Sequence, residues 1–418
     1  MPATACTVSG AARRPRWGTM KGMSEGIDVE ALRADTPGCA HVAHFNNAGA
    51  ALPPRPVTDA VIAHQRLEAR IGGYEAAEHA EKAIAGSYEA IAALIGAAPD
   101  EIAFIENATR AWDMAFYSIP FAAGDRILTT TSEYASNGIA FAQVARRTGA
   151  HVQAVPDDEH GQMSVQALAA ELDRGRVALV AVNHVPTHNG LINPARRIGA
   201  LCRRAGVPFL LDACQSIGQF PVDVADIGCD MLSATGRKFL RGPRGTGFLY
   251  VRRDLAARLE PPFLDLHSAT WTAPGAYTIR PDARRFETWE RNVAGQIGLG
   301  VAAGYATAVG LAATGRHIRG LADGLRRRLA DLPHVTVLDR GEHRCGIVTF
   351  DVRGHRPADV KRALREHAVN LSVTDIAHHR LDAPTVPAAL RASPHHYNTE
   401  TEIDHLAGLI ARIAARRP

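Results

Sequence analysis

VPFLLDAC (Val207–Cys214) and DMLSATGRKFLRGPRGTG (Asp230–Gly247) are the stretches whose reading decides the fold. The first is a short apolar strand whose end delivers Asp212. The second sets Lys238 among cationic and glycine-rich neighbours. A carboxylate at a strand end, followed by a lysine on a later loop, suits the chemistry of pyridoxal phosphate (PLP). The lysine amine bonds the cofactor's aldehyde, and the carboxylate keeps its pyridine nitrogen protonated so that the ring accepts electrons. Arg237, Arg241 and Arg244 crowd Lys238 with positive charge, which is expected to lower its pKa and favour the free amine. Taken alone, a lysine in a basic loop is usually a solvated one, so the case depends on what surrounds it.

Working outward, short apolar runs alternate with amphipathic stretches. The runs are Glu101–Glu106, Arg126–Thr130, His151–Val155, Val177–Asn183 and Val207–Asp212. Helical patterns lie between them at Ala108–Ile119, Ser136–Thr148, Val165–Leu172 and Pro194–Ala205. This alternation predicts an α/β chain, a mainly parallel sheet covered on both faces, with ligands at the carboxyl ends of the strands. After about residue 300 the character changes. Helical sequence through Leu329 gives way to a strand-like GIVTFDV (Gly346–Val352), a helix near Pro357, a strand-like piece from Leu390, and a last helix opened by Thr399-Glu400-Thr401-Glu402, a capping box. The expected organisation is a partly disordered tail over 1–40, a large cofactor-binding domain over 41–295 and a smaller α+β C-terminal domain over 296–418.

Composition bounds the function. Apolar residues at 46 % and charged residues at 22 % are ordinary globular values, and a net charge of +4 makes no case for a nucleic-acid partner. No apolar run reaches membrane-spanning length. The six cysteines include no C-x-x-C pair and read as reduced thiols, hence a cytoplasmic protein. The first 22 residues carry Arg13, Arg14, Arg16 and Lys21 without an acid or an apolar core. A secretory signal is therefore not expected, and Met20 or Met23 are alternative starts. His184 and His188 stand four apart, but Pro186 between them argues against a helical zinc pair, and no metal is expected. GPRGTG (Gly242–Gly247) lacks the lysine ending of a P-loop.

From about His44 onward the chain resembles the class V aminotransferase group of fold-type I PLP enzymes. That group includes cysteine desulfurases, cysteine C–S lyases and isopenicillin N epimerase-like proteins. The residues that carry the resemblance are Glu106-Asn107-Ala108-Thr109, Glu133-Tyr134, NHVPTHNGLINP (Asn183–Pro194), LLDACQS, the Thr235–Lys238 segment, RFETWERN (Arg285–Asn292) and LRASPHHYNTETEID from Leu390. The resemblance implies cofactor roles residue by residue. Ala108 and Thr109 bind the phosphate at a helix N-terminus, and Tyr134 stacks on the pyridine. Thr187 falls in the loop near the ring, Asp212 pairs with the ring nitrogen, and Gln215 bonds the phenolic oxygen. Thr235 and Arg237 complete the phosphate site, and Lys238 is the catalytic lysine. Arg391 is implied to grip a substrate α-carboxylate through its planar fork, with Asn47 and His379 as further substrate contacts. The family builds its sites at a subunit interface, which implies a homodimer. Trp289-Glu290 replaces the usual Gly-Thr of the segment that reaches the partner's phosphate.

The loop before the arginine strand, Ser372–Arg391, contains no cysteine, whereas desulfurases need a mobile one there. Cys345 precedes an interior strand and reads as packed. The expectation is therefore a C–S lyase that acts on an S-substituted cysteine conjugate by β-elimination to thiol, pyruvate and ammonia. GGYEAAE (Gly72–Glu78) resembles lyases that act on cysteine conjugates in small-thiol pathways, and a similar pattern occurs in the PLP enzymes of lincosamide-type antibiotic biosynthesis. The alternatives are decarboxylation coupled to oxidative deamination, an epimerase or an aminotransferase. A PLP-sensing regulator is disfavoured, because about 40 residues before the core leave no room for a helix-turn-helix domain.

Overall fold

A computed structural model describes residues 26–375, 381 and 388–415. Among these, seven strands form a large sheet: β1 (Ile102–Ile105), β2 (Arg126–Thr129), β3 (His151–Ala154), β4 (Val177–Asn183), β5 (Phe209–Asp212), β6 (Met231–Thr235) and β7 (Gly247–Val251). Their order is β1-β7-β6-β5-β4-β2-β3. All pairings are parallel except those of β7, which runs against β1 and β6.

The central strands are continuous apolar runs because both faces are covered. Side chains alternate across the sheet. Val180, Val182, Phe209, Leu211 and Leu232 join one core with Tyr88, Ile91, Ile198 and Leu299. Leu179, Ala181, Leu210 and Met231 join the other with Trp112, Phe116 and Phe141. Helix α1 (Ala108–Tyr117) starts where the Asn107 side chain accepts from Arg110 N–H at 2.9 Å, and α2 (Ala135–Thr148) stops at Gly149 in the left-handed region.

The C-terminal lobe carries an antiparallel sheet, β8 (Val335–Val337), β9 (Val348–Val352), β10 (Ser372–Asp375) and β11 (Ala388–Ala392), in the order β8-β9-β11-β10. The expected capping box is present: Thr399 accepts from Glu402 N–H, and Glu402 accepts from Thr399 N–H.

The boundary expected at 295/296 falls inside one helix, α3 (Val293–Val309). This helix packs on Arg55–Ile71 and Glu81–Ile95, and Leu299, Ala302 and Ala303 lie in the core of the large lobe. Its approach is close because Gly300 has no side chain; a Cβ there would lie 2.6 Å from Ser87 Cα. The chain bends by 80° at Gly310, whose φ of 92° suits glycine, before the next helix, Leu311–Ala330. The change in composition read near 300 coincides with this small-residue helix.

The start of the chain also departs from expectation. Ala43–His44 pairs in parallel with Val369–Asn370, and Phe45 is buried among Leu325, Phe350, Leu390 and Ile403 of the C-terminal lobe. Within the expected tail, Val29–Ala34 is helical and Leu32 packs with Tyr305 and Tyr397.

Candidate active site

Parallel strands deliver Asn183, Asp212 and Thr235 to one edge of the sheet, at the ends of β4, β5 and β6. One cleft at that edge is lined by every residue assigned to the cofactor from sequence: Ala108, Thr109, Tyr134, Thr187, Asp212, Gln215, Thr235, Arg237 and Lys238. Asn107, Asn137, Val185 and Cys214 line it too.

Asp212 is buried and held by two donors. Its Oδ1 accepts from Cys214 N–H at 3.0 Å and its Oδ2 from Asn137 Nδ2 at 3.1 Å. Lys238 Nζ lies 6.0 Å from the centroid of the Tyr134 ring. Burial lowers the pKa of the Lys238 amine; Arg237 and Arg391 push it further down, while Cys214 and Asp212 oppose them. Of the three arginines expected around Lys238, Arg237 acts as anticipated, and its Nη1 donates to Gly49 O. Arg241 does not. Its guanidinium turns away to donate to Leu52 O (2.8 Å) and Thr36 Oγ1 (2.5 Å), meets His396 Nε2 at 2.7 Å, and stacks on the Tyr397 ring at 4.7 Å. Arg244 is exposed to solvent.

Arg391 sits on β11, opposite Ser372 and Thr349. It is buried, and no carboxylate among the described residues pairs with it. Nη1 donates to Thr187 O at 3.0 Å and Thr187 Oγ1 at 2.6 Å, Nη2 reaches Asn46 Oδ1 at 3.5 Å, and Nε has no partner. Burial first, and then Arg237, bring its pKa down to about 10, so it remains a cation at neutral pH.

Asn47 does not face the cleft. It is fully buried, donating to His44 O (3.2 Å) and Ser393 O (2.7 Å) while accepting from the Tyr397 hydroxyl. Its neighbour Asn46 meets Arg391 instead, at the point where the chain leaves its bridge with Ser393 and enters a turn, Gly49 and Ala50 N–H both donating to Asn46 O. His379 lies outside the described residues. His184 is a packed residue, its Nδ1 3.0 Å from Ser216 Oγ and its pKa lowered by burial to about 4. Cys345 is buried beside Phe239, Ile318 and Ile347, and burial pushes its thiol up to about 12.

Sequence reading passed over Cys214, whose position two residues beyond the strand-end acid was the available signal. Its thiol lies in the cleft beside Asp212, and burial together with that carboxylate holds it protonated, far above the usual thiol range.

The residues fit the group that the sequence implied. Gln215 turns a buried amide oxygen without a partner toward the cleft, while its Nε2 donates to Ala48 O at 3.1 Å. A buried acceptor left unpaired costs about 1–3 kcal/mol, which a bound hydroxyl would relieve. A helix N-terminus with Thr109, Thr235 and Arg237 suits a phosphate. A carboxylate, an aromatic ring and an amine complete a set suited to a pyridine aldehyde.

The aminotransferase class-V family model matches residues 43–406. A probable cysteine desulfurase 2 of Mycobacterium leprae is 32% identical, covering 92% of this chain and 96% of its own length. A probable cysteine desulfurase of Methanothermobacter thermautotrophicus is 28% identical, covering 92% and 98%. Among solved structures, apo cysteine desulfurase from Thermococcus onnurineus NA1 superposes with a TM-score of 0.87 at 26% identity, covering 94% of this chain and 99% of that one. The cystine C–S lyase C-DES, in complex with its product cysteine persulfide, gives a TM-score of 0.80 at 27% identity, covering 92% and 100%. With the sheet order, the cleft residues and the family match in agreement, this chain belongs to the class-V aminotransferase family, with the fold of type I PLP enzymes.

Proposed function

We propose that the protein is a PLP-dependent C–S lyase that cleaves an S-substituted cysteine by β-elimination, giving a thiol, pyruvate and ammonia with uptake of one water. The observation that carries this reading is the buried guanidinium of Arg391, which has no carboxylate partner among the described residues and donates to Thr187 of the cleft that holds Lys238 and Asp212. An unpaired buried cation calls for an anion, and an amino-acid carboxylate supplies one.

Bound PLP supplies an aldehyde that bonds amines and a protonated ring that draws electrons from the α-carbon. Thr109, Thr235, Arg237 and the start of α1 would hold its phosphate, Tyr134 would lie against the ring, and Asp212 and Gln215 would take the ring nitrogen and the phenolic oxygen. Arg391 orients the substrate by its carboxylate, with Thr187 and Asn46 fixing the guanidinium. Lys238 Nζ, kept low in pKa by burial, removes the α-proton as general base. Asn47 serves the fold rather than the substrate.

The relatives' names favour a second reading, a desulfurase. Sulfur transfer needs a mobile nucleophilic thiol before the arginine strand, and the sequence Ser372–Arg391 contains no cysteine. We therefore rank elimination first, and decarboxylation with oxidative deamination after it. The likeness of Gly72–Glu78 supports a conjugate of the kind handled in lincosamide-type biosynthesis. The five described cysteines are free, in keeping with a reducing cytoplasm. A second copy of the chain would cover Phe263, Leu266, Trp271, Tyr277 and Trp289, all exposed; sedimentation velocity tests that homodimer.

The test of the reaction is mass spectrometry of products from the PLP-loaded protein with S-alkylcysteines and cysteine. Pyruvate and free thiol are expected. Alanine from cysteine would assign the desulfurase, and carbon dioxide with an aldehyde the deaminase.

A further inference from the structure

Glu133 is a buried acid that the reaction above does not use. It stands between the end of β2 and the start of α2, 6 % exposed. Its Oε2 accepts from Thr129 Oγ1 at 2.9 Å, and its Oε1 from Tyr134 N–H at 2.7 Å and Asn137 Nδ2 at 2.9 Å. The same Asn137 nitrogen donates to Asp212 Oδ2 at 3.1 Å. An amide nitrogen has two hydrogens, and here one goes to each carboxyl. One side chain thus ties a catalytic-cleft carboxylate to a second acid behind it, with Thr129 and the Tyr134 backbone anchoring the far end.

We propose that Glu133 is a positioning residue that, through the Asn137 amide, fixes Asp212 in the orientation required by the cofactor's ring nitrogen. The proposal rests on the reading of Asp212 as that nitrogen's partner. With Oδ1 fixed by Cys214 N–H and Oδ2 by Asn137, the carboxylate cannot turn about its own axis without losing a bond. Burial first and Asp212 second raise the pKa of Glu133 to about 7, so near neutrality it holds a proton for part of the population. The protonated acid can donate from Oε2 to Thr129 and still accept from Asn137 and Tyr134 on Oε1. A glutamine has the same donor and acceptor layout. The charged groups on this side of the cleft are Asp212 on β5 and, across from it, Lys238 and Arg237 beyond β6.

The experiment uses the protein reconstituted with PLP labelled with ¹⁵N in the ring. It reads the nitrogen chemical shift, which reports protonation, together with the dissociation constant of PLP and the melting temperature. Asp212→Asn, Asn137→Ala, Glu133→Ala and Glu133→Gln are compared with the native chain. Asn137→Ala and Glu133→Ala are expected to weaken PLP about 10- to 100-fold, the effect of losing a hydrogen bond to a charged group. Both should also move the nitrogen signal toward the unprotonated position, and Glu133→Gln should restore both quantities to within about 3-fold of native. Should Glu133→Ala fail to fold, Asn137→Ala and Glu133→Gln decide. The proposal is overturned if Asn137→Ala leaves affinity and nitrogen shift unchanged while Asp212→Asn alters them. It is equally overturned if Glu133→Gln loses as much as Asn137→Ala. If Asp212→Asn changes neither quantity, the reading of Asp212 itself fails and the proposal with it.

Discussion

Replacing Arg391 by alanine should abolish the preference for substrates that carry an α-carboxylate. Nη1 of this guanidinium is committed to Thr187 O and Oγ1, whereas among the described residues Nε has no partner and Nη2 only a 3.5 Å contact with Asn46. The Nε–Nη2 edge is therefore the one open to a carboxylate, through two parallel charge-assisted bonds. At about 1.5–3 kcal/mol each, these bonds stabilise the bound carboxylate by at most about 3–6 kcal/mol. Water entering the truncated site offsets part of that. A loss of about 3–4 kcal/mol remains, or roughly 100- to 1,000-fold in kcat/KM. The guanidinium has a pKa of about 10, so it is charged through neutrality and the effect should hold between about pH 7 and 8. The assay compares kcat/KM for S-ethylcysteine with that for S-ethylcysteamine, which lacks the carboxylate. Native protein should discriminate by about the same factor, and the variant by less than about tenfold. Arg391→Lys should fall between them, because a point charge does not reproduce the fork. An alanine variant within about threefold of native, with PLP bound normally, would refute the assignment of Arg391.

Lys238→Ala should retain no covalently bound PLP after borohydride reduction, and peptide mapping of the native protein should place the label on Lys238; a label elsewhere removes it from the mechanism. Phe45→Ala should destabilise the chain by about 3–5 kcal/mol, the usual loss for a buried phenylalanine, even though Phe45 lies near the start of the chain and its core partners near the end. Urea unfolding checks this, and a change below about 1 kcal/mol would show that the segment is not held as described. Burial keeps His184 neutral down to about pH 4, whereas the unfolded chain takes up the proton below its ordinary 6.5. Its contribution to stability is therefore full above that value and falls with pH by about 1.4 kcal/mol per unit within the window. His184→Asn should make the loss between about pH 6 and 5 shallower by that amount, and an unchanged slope would contradict the assignment.

The large sheet was legible because its strands are apolar on both faces and bounded by helices with their own period; Val177–Asn183 was read to the residue. The cleft was legible because the fold puts its chemistry at strand ends, so Asp212 and Lys238 are marked by position as well as by type. Orientation was not legible. Asn46 and Asn47 are adjacent at the start of a turn, and only the backbone path decides which meets Arg391. Arg241 stands three residues from Lys238, yet its acceptors, Leu52 O, Thr36 and His396, come from distant parts of the chain. The bridge from Glu133 to Asp212 escaped notice for the same reason. The helix that spans the expected boundary at 295/296 was not legible as one element, because α3 continues its packing past the change in composition.

The pairing of His44 with Asn370 spans 326 residues. At about 5–20 residues per second, a ribosome needs roughly 16–65 s to make that interval. Throughout it Phe45 waits without the core that covers it. The half of the cleft proposed to hold the cofactor lies between Asn107 and Lys238 and has all its residues in the middle of synthesis. The half proposed to read the substrate joins Asn46 to Arg391 and draws on two segments far apart in the chain. On the roles proposed above, a nascent chain thus has its lysine, its strand-end acid and its phosphate-binding residues in hand well before the arginine proposed to recognise an amino acid is made.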